Sequence, residues 1–207
     1  LLASSAASDV YKRQMKHVLG NGSLLGLFSM MKMFPVIIAL IFTPILVKKT
    51  GSMQKVNFWG YVISDILGIF LIIFAMQKNL PMMLLFMFLK GTFAGTMSGT
   101  LNALIAEISG YTYRTKGVHI DGMMFSCSSL GVKVGGGIGT AAVGWLLHAA
   151  GYAGKAATQT AAATNMIFSM YITIPVILGV VITILLGLMK VEKENKRIDM
   201  ERAEQAD

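Results

Sequence analysis

Long apolar stretches separated by short polar turns dominate the pattern of this chain. Five stand out: Leu24 to Val47, Val56 to Met76, Leu80 to Ala106, Gly122 to Ala149, and Met166 to Met189. Each exceeds the roughly 18 to 20 apolar residues that a helix needs to cross a bilayer. The pattern therefore predicts an all-α membrane protein with five transmembrane helices. The remaining residues, Lys190 to Asp207, form a polar tail, in which Glu192 and Lys196 stand at an i, i+4 spacing that predicts a solvated helix.

The polar turns give the spans an orientation. Lys48-Lys49-Thr50-Gly51-Ser52-Met53-Gln54-Lys55 carries three lysines, which the positive-inside rule assigns to the cytoplasm. Alternation then places the Gln77-Lys78-Asn79 turn outside and the segment from Glu107 to Asp121, with Arg114 and Lys116, inside. The Ala-rich stretch from Gly151 to Asn165, with its single Lys155, falls outside. The tail bearing Lys190, Lys193, Lys196, Arg197 and Arg202 ends in the cytoplasm. Trp59 and Tyr61 near one interface, and Trp145, His148 and Tyr152 near the other, suit aromatic belts, although core packing explains any one of them equally well.

Composition agrees with this reading. Of 207 residues, 55% are hydrophobic and 14% charged, far from the balance of a soluble domain. The net charge of +8 sits in loops and tail, where it sets topology and does not point to nucleic acid. The single cysteine, Cys127, lies within an apolar run and is expected to be a buried thiol, so neither an intrachain disulfide nor a cysteine-based zinc site is available. His17, His119 and His148 lie too far apart for metal-ligand spacing, and no nucleophile and base are placed together, so neither a metal site nor an enzyme is expected.

Residues 1–14 look foreign to the fold. Ser8-Asp9-Val10-Tyr11-Lys12-Arg13-Gln14 is similar to the peptide obtained by translating a transposon-end sequencing adapter, and native sequence is expected to start near Met15. An odd number of spans with a cytoplasmic C-terminus leaves the N-terminus outside with no preceding helix to carry it there. A longer parent protein, with further helices before residue 15, is the expectation.

Few residues inside the spans can carry chemistry. Lys133 sits near the middle of the fourth span, where an ionised side chain costs at least about 2.5 to 3.5 kcal/mol on insertion scales. A lysine there suits a water-filled pathway, where it can pair with a carboxylate or a polar ligand; the alternative, a lysine that snorkels or is salt-bridged for structure, is harder from mid-bilayer. Ser126, Ser128 and Ser129 lie about one turn earlier, and Ser129 shares the face of Lys133. Hydroxyl beside ammonium suits a polyol ligand. Lys32 and Lys90 are also intramembrane, and Asp65 is an acid that can neutralise one of them, which suits structural pairs and pathway residues equally. Ser98, Thr100 and Asn102 add polar groups to the third span, and Glu107 stands at its cytoplasmic end.

Glycines recur every fourth residue at Gly91, Gly95 and Gly99, and again at Gly131, Gly135 and Gly139, which predicts two bare faces for close helix packing. Gly137-Ile138-Gly139-Thr140-Ala141-Ala142 matches a loose dinucleotide-loop pattern, but it lies inside an apolar helix with no strand before it and is set aside.

The run Ala106-Glu107-Ile108-Ser109-Gly110-Tyr111-Thr112-Tyr113-Arg114-Thr115-Lys116-Gly117-Val118-His119-Ile120-Asp121-Gly122, read as a loop, resembles the signature of the glycoside-pentoside-hexuronide:cation symporters. These form the melibiose-permease-like branch of the major facilitator superfamily. Phe125-Ser126, Gly131-Val132-Lys133-Val134-Gly135, Gly144-Trp145 and Gly151-Tyr152 continue the likeness. The resemblance implies a twelve-helix fold in which this chain supplies helices eight to twelve, the missing N-terminal helices being its partners within the same protein. It implies that Lys133 helps organise a shared sugar and cation site, which Ser128, Ser129 and Val132 approach. It also implies a cytoplasmic gate at Glu107, Tyr111, Arg114, His119 and Asp121.

The departures from that signature weaken the gate. Family aspartates become Glu107 and Gly110, a glutamate becomes Tyr113, and an arginine becomes His119. Ser98 replaces a sugar-stacking aromatic, which leaves the substrate open. The expected function is cation-coupled symport of a sugar or glycoside, with sodium or a proton as coupling ion and no cofactor, in a bacterial inner membrane. The alternative is a non-transporting sensor or scaffold derived from the same fold.

Overall fold

The computed structural model describes residues 25–77, 79–153 and 159–204, and the side chains within them except those of residues 25–29, 31, 32, 202 and 203. The adapter-like residues 1–14, Met15, His17, Lys78 and Lys155, and the side chains of Lys32 and Arg202, lie outside that description.

The described residues fold as helices: α1 Leu25–Thr50, α2 Met53–Met76, α3 Leu80–Ala94, α4 Thr96–Lys116, α5 Asp121–Ala149, α6 Ala161–Phe168, α7 Ile174–Leu188 and α8 Val191–Glu204. A π-helical turn, Ser169–Thr173, joins α6 to α7. Five helical stretches are long and apolar enough to cross a membrane: Met33–Thr50, Met53–Met76, Leu80–Lys116, Asp121–Ala149 and Ala161–Glu201.

Two of the expected spans have a different interior. The third is interrupted at Gly95, whose N–H bonds Gly91 at 2.9 Å while its carbonyl receives Ser98 N–H at 3.0 Å. That tighter turn divides α3 from α4. The helix then continues past Ala106 to Lys116, so the run read as a loop is mostly helical. It stops at Gly117, whose φ of +70° only glycine adopts without penalty. The fifth span starts earlier than expected, at Ala161, where Thr160 caps it by accepting from Ala163 N–H at 3.2 Å. Its π turn lies just before Pro175, which lacks an N–H and whose ring crowds the carbonyl four residues back.

Helices α1, α2, α3, α4 and α7 form a packed group, with α2 against α3 and α7, and α1 against α3 and α4. Leu71, Ala75, Met83 and Ile172 make its apolar core. The first glycine stripe does what its spacing predicts. A Cβ on Gly91 would meet Pro35 Cβ at 3.1 Å, one on Gly95 would meet Ala39 Cβ at 2.7 Å, and one on Gly99 would meet Leu40 Cδ2 at 3.3 Å. These small residues let α1 lie directly on the α3–α4 line.

Helix α5 is different. Leu147 alone of its residues is buried, held with Val143 and Leu146 against Ile167 and Met170. A Cβ on Gly131, Gly135 or Gly139 would meet nothing within 4 Å, so the second stripe packs against no described residue. Cys127, expected to be buried, is exposed because no described residue covers that length of the helix.

Outward faces throughout are apolar: Met33, Ile41, Trp59 and Leu188 are exposed, and Trp145 keeps 73% of its surface open. A soluble fold seldom shows contiguous apolar surface of this extent, whereas a bilayer requires it. Trp59 and Trp145 accord with interfacial belts, but Tyr152 joins the apolar cluster around Leu147 and Ile167.

Candidate functional site

Lys133 projects from α5 exposed, and with Phe125, Ser126, Ser129 and Leu130 it lines an open depression of about 390 Å³. Positions 126, 129 and 133 are three and four residues apart, so one helical face carries two hydroxyls and the ammonium. No carboxylate lies within ion-pair distance of Lys133 among the described residues. Ser128 is half-buried on the adjacent face, and Val132, 67% exposed, is beside it one turn on. Ser98 and Asn102 lie one turn apart on α4 and are both exposed, but no hydrogen bond joins either of them to the α5 face among the described residues. The arrangement offers a cation and hydroxyls beside apolar side chains.

Asp65 forms no ion pair with a lysine among the described residues, and the Lys32 side chain, one of its two candidate partners, lies outside them. Asp65 is buried on α2, where its Oδ2 accepts from Thr183 Oγ1 of α7 at 2.7 Å, and its Oδ1 has no hydrogen-bond partner among the described residues. Lys90 does approach α2, with its Cε 3.3 Å from where a Cβ on Gly68 would stand, but no Lys90–Asp65 ion pair forms. Asn57, fully buried, donates to Thr100 Oγ1 at 2.6 Å and ties α2 to α4.

The expected gate residues divide into two sets. Glu107 and Arg114, on α4, both meet the tail helix α8: Asn195 Nδ2 donates to the Glu107 carbonyl at 3.0 Å, and Arg114 Nη1 bonds Asp199 Oδ2 at 2.8 Å. Tyr111 is half-buried on α4, and its carbonyl accepts the Thr115 hydroxyl at 2.8 Å. His119 is exposed, stacked on Tyr113 with ring centroids 3.9 Å apart, and its Nδ1 lies 3.8 Å from Asp121 Oδ2 in the first turn of α5.

The tail helix is therefore docked, not merely solvated. Glu192 and Asn195 are buried, Glu192 at 5% exposure. Glu192 Oε2 accepts from Ser52 Oγ and from Gln54 N–H, both at 2.9 Å, at the start of α2. Its Oε1 pairs with Lys196 at 3.2 Å, as the i, i+4 spacing predicted, and Lys196 also donates to the Gly51 carbonyl. The signal was present in the stripe Val191, Asn195 and Ile198, at i, i+4 and i+7, but the charges around it masked it. These contacts gather the α1–α2 turn, the end of α4 and the tail at one end of the molecule. The sequence had assigned the same three basic segments to one side of the membrane.

The family model described as MFS/sugar transport protein matches residues 11–193. The chain belongs to that family. Among curated relatives of this MFS sugar-transport chain, the isoprimeverose transporter of Lactiplantibacillus pentosus is 35% identical over 99 residues, which is 48% of the chain and 20% of that protein. The putative glycoside/cation symporter YagG of Escherichia coli K12 is 28% identical over 109 residues, 50% of the chain and 24% of the relative. An uncharacterized 29.9 kDa protein in the crtE 3' region of Pseudescherichia vulneris is 27% identical over 132 residues, 63% of the chain and 48% of the relative. The chain thus spans from a fifth to about half of the length of the curated relatives it matches. No solved structure matches it significantly. The match agrees with the symporter-like resemblance of the α4 run.

Proposed function

We propose that this chain forms the last five helices of a sugar transporter that moves a glycoside together with sodium or a proton across a bacterial inner membrane, with the α8 end in the cytoplasm. The observation that carries the reading is Lys133: an ammonium halfway along an apolar helix, beside Ser126 and Ser129, in an open depression and without a carboxylate partner among the described residues. Such a charge needs a polar ligand or water to offset its desolvation. Sugar hydroxyls in a hydrated site would supply both, with Ser128 and Val132 on the adjacent face of α5 and Ser98 and Asn102 offered by α4. The relatives named as an isoprimeverose transporter and a glycoside/cation symporter support the substrate class.

The remaining helices of the transporter would cover the α5 face, including Gly131, Gly135 and Gly139. The sparse gate charges Glu107, Arg114, His119 and Asp121 would then open and close the cytoplasmic mouth, with α8 braced against them.

The test is uptake of labelled glycoside by the whole transporter in vesicles under imposed sodium or proton gradients. Accumulation driven by one gradient is expected. Uptake indifferent to every cation gradient would sink the coupling. Lys133→Ala is expected to reach the membrane normally while losing glycoside or ion binding, and wild-type binding by that variant would refute the site.

A further inference from the structure

A second cavity, of about 470 Å³, lies at the α8 end, well away from Lys133 in the chain. Its apolar floor is Phe58 of α2 with Leu186, Gly187 and Met189 at the end of α7, and its rim carries Lys55, Lys190, Lys193 and Lys196 against one carboxylate, Glu192. That carboxylate is already engaged, since Ser52, Gln54 N–H and Lys196 take both of its oxygens. Lys55, Lys190 and Lys193 are exposed, and no carboxylate lies within ion-pair distance of any of them among the described residues. Three lysines thus line one depression without a carboxylate in ion-pair distance among the described residues.

The floor identifies the ligand. Phe58 sits in the second turn of α2 and Leu186 in the last turn of α7, both within apolar runs, while Lys55 stands in the first turn of α2, just before the apolar run that begins at Val56, and Lys190, Lys193 and Lys196 follow Met189, where the last apolar run ends. The cavity therefore straddles the boundary between apolar and polar zones. Trp59, 60% exposed and edge-on to Phe58 at 5.7 Å, marks the same level. Close approach of the two helices shapes the floor, because a Cβ on Gly187 would meet Phe58 Cε2 at 3.1 Å. A free phosphate would satisfy the lysines and leave the floor uncovered. A phospholipid satisfies both, with its phosphate among the ammonium groups and the first methylenes of its acyl chains on Phe58, Leu186 and Met189.

We propose that this cavity binds the headgroup of an anionic phospholipid and so fixes the α2–α7–α8 corner to the membrane surface. The site is independent of the sugar reading and stands on membrane embedding alone.

Native mass spectrometry of the chain in micelles containing equal phosphatidylglycerol and phosphatidylcholine tests it. Preferential retention of phosphatidylglycerol is expected, falling about tenfold in a Lys55→Gln/Lys190→Gln/Lys193→Gln variant. A Lys48→Gln/Lys49→Gln variant removes two exposed charges at the same end that do not line the cavity, and it should keep the preference. Equal loss in both variants, or no loss in the first, overturns the site in favour of diffuse attraction. Displacement of phosphatidylglycerol by millimolar inorganic phosphate also overturns it, in favour of a soluble anion. Should the triple variant fail to fold, Lys193→Gln, on the exposed side of α8, is expected to lower the preference by itself, and an unchanged preference refutes the proposal.

Discussion

Two stretches of this molecule, the α3–α4 line and α5, carry the same motif and have opposite surroundings. Gly91, Gly95 and Gly99 press against Pro35, Ala39 and Leu40 of α1, whereas Gly131, Gly135 and Gly139 meet nothing within 4 Å. The spacing is identical, and each stripe exposes bare backbone along one face. A small-residue stripe therefore states that a helix can be approached closely, but not what approaches it. For the first stripe the partner lies within the chain. For the second, the proposed transporter would supply it from helices that this chain does not contain.

The largest effect should come from filling the packed stripe. Gly95→Leu forces a side chain to within 2.7 Å of Ala39 Cβ and 3.0 Å of the Gly91 carbonyl, which is backbone and cannot move aside cheaply. Overpacking of this kind is expected to destabilise the chain by up to about 3 kcal/mol. Gly135→Leu should stay within about 0.5 kcal/mol of the parent, as at other open positions. Unfolding midpoints of the two variants in detergent titrations check this. A Gly135→Leu penalty as large as that of Gly95→Leu would mean that the α5 face is covered, and the contrast between the helices would collapse.

A second pair sharpens the comparison with polar groups. Thr183→Val removes the hydrogen bond that the buried Asp65 carboxylate accepts among the described residues, and is expected to cost about 1 to 2 kcal/mol. Thr183→Ser should restore most of it. Lys133→Ala, on the open helix, should leave the unfolding midpoint unchanged while abolishing ligand binding in the whole transporter. Loss of stability in Lys133→Ala would place that side chain in a structural role and count against the sugar site.

Much of this was legible in the sequence because a bilayer enforces simple rules. Long apolar runs gave the spans, and lysine-rich turns gave the three segments that the structure gathers at one end. The interruptions were less legible. Gly95 breaks a span whose hydropathy does not change there, and the π turn before Pro175 is a backbone response to one residue within a uniformly apolar run. The run after Ala106 read as a loop because its charges and Gly110 resemble loop chemistry, yet the backbone stays helical until Gly117 allows the left-handed turn. On the site, Ser126, Ser129 and Lys133 share a face as their spacing implied. The Asp65–Thr183 pair was not foreseen, because the two residues are 118 positions apart and neither has a periodic signal of its own.

The tail supplies the smallest effect and a third case between the two helices. Unlike α5, α8 is docked; unlike α3 and α4, it is docked through polar atoms, with Arg114–Asp199 at its outer edge and Glu192 at its buried one. The Arg114 and Asp199 side chains are 32% and 56% exposed, so water and salt screen their attraction. Arg114→Gln is therefore expected to weaken α8 docking by no more than about 1 kcal/mol, and the deficit should shrink in high salt. Hydrogen exchange along α8 reads this directly: protection should fall a few-fold at low ionic strength in the variant and converge with the parent in molar salt. A salt-independent loss of protection would instead assign Arg114 a packing role, since its stem covers part of the α4–α8 contact. Full protection at low salt would leave Glu192 and Asn195 as the groups that hold the tail.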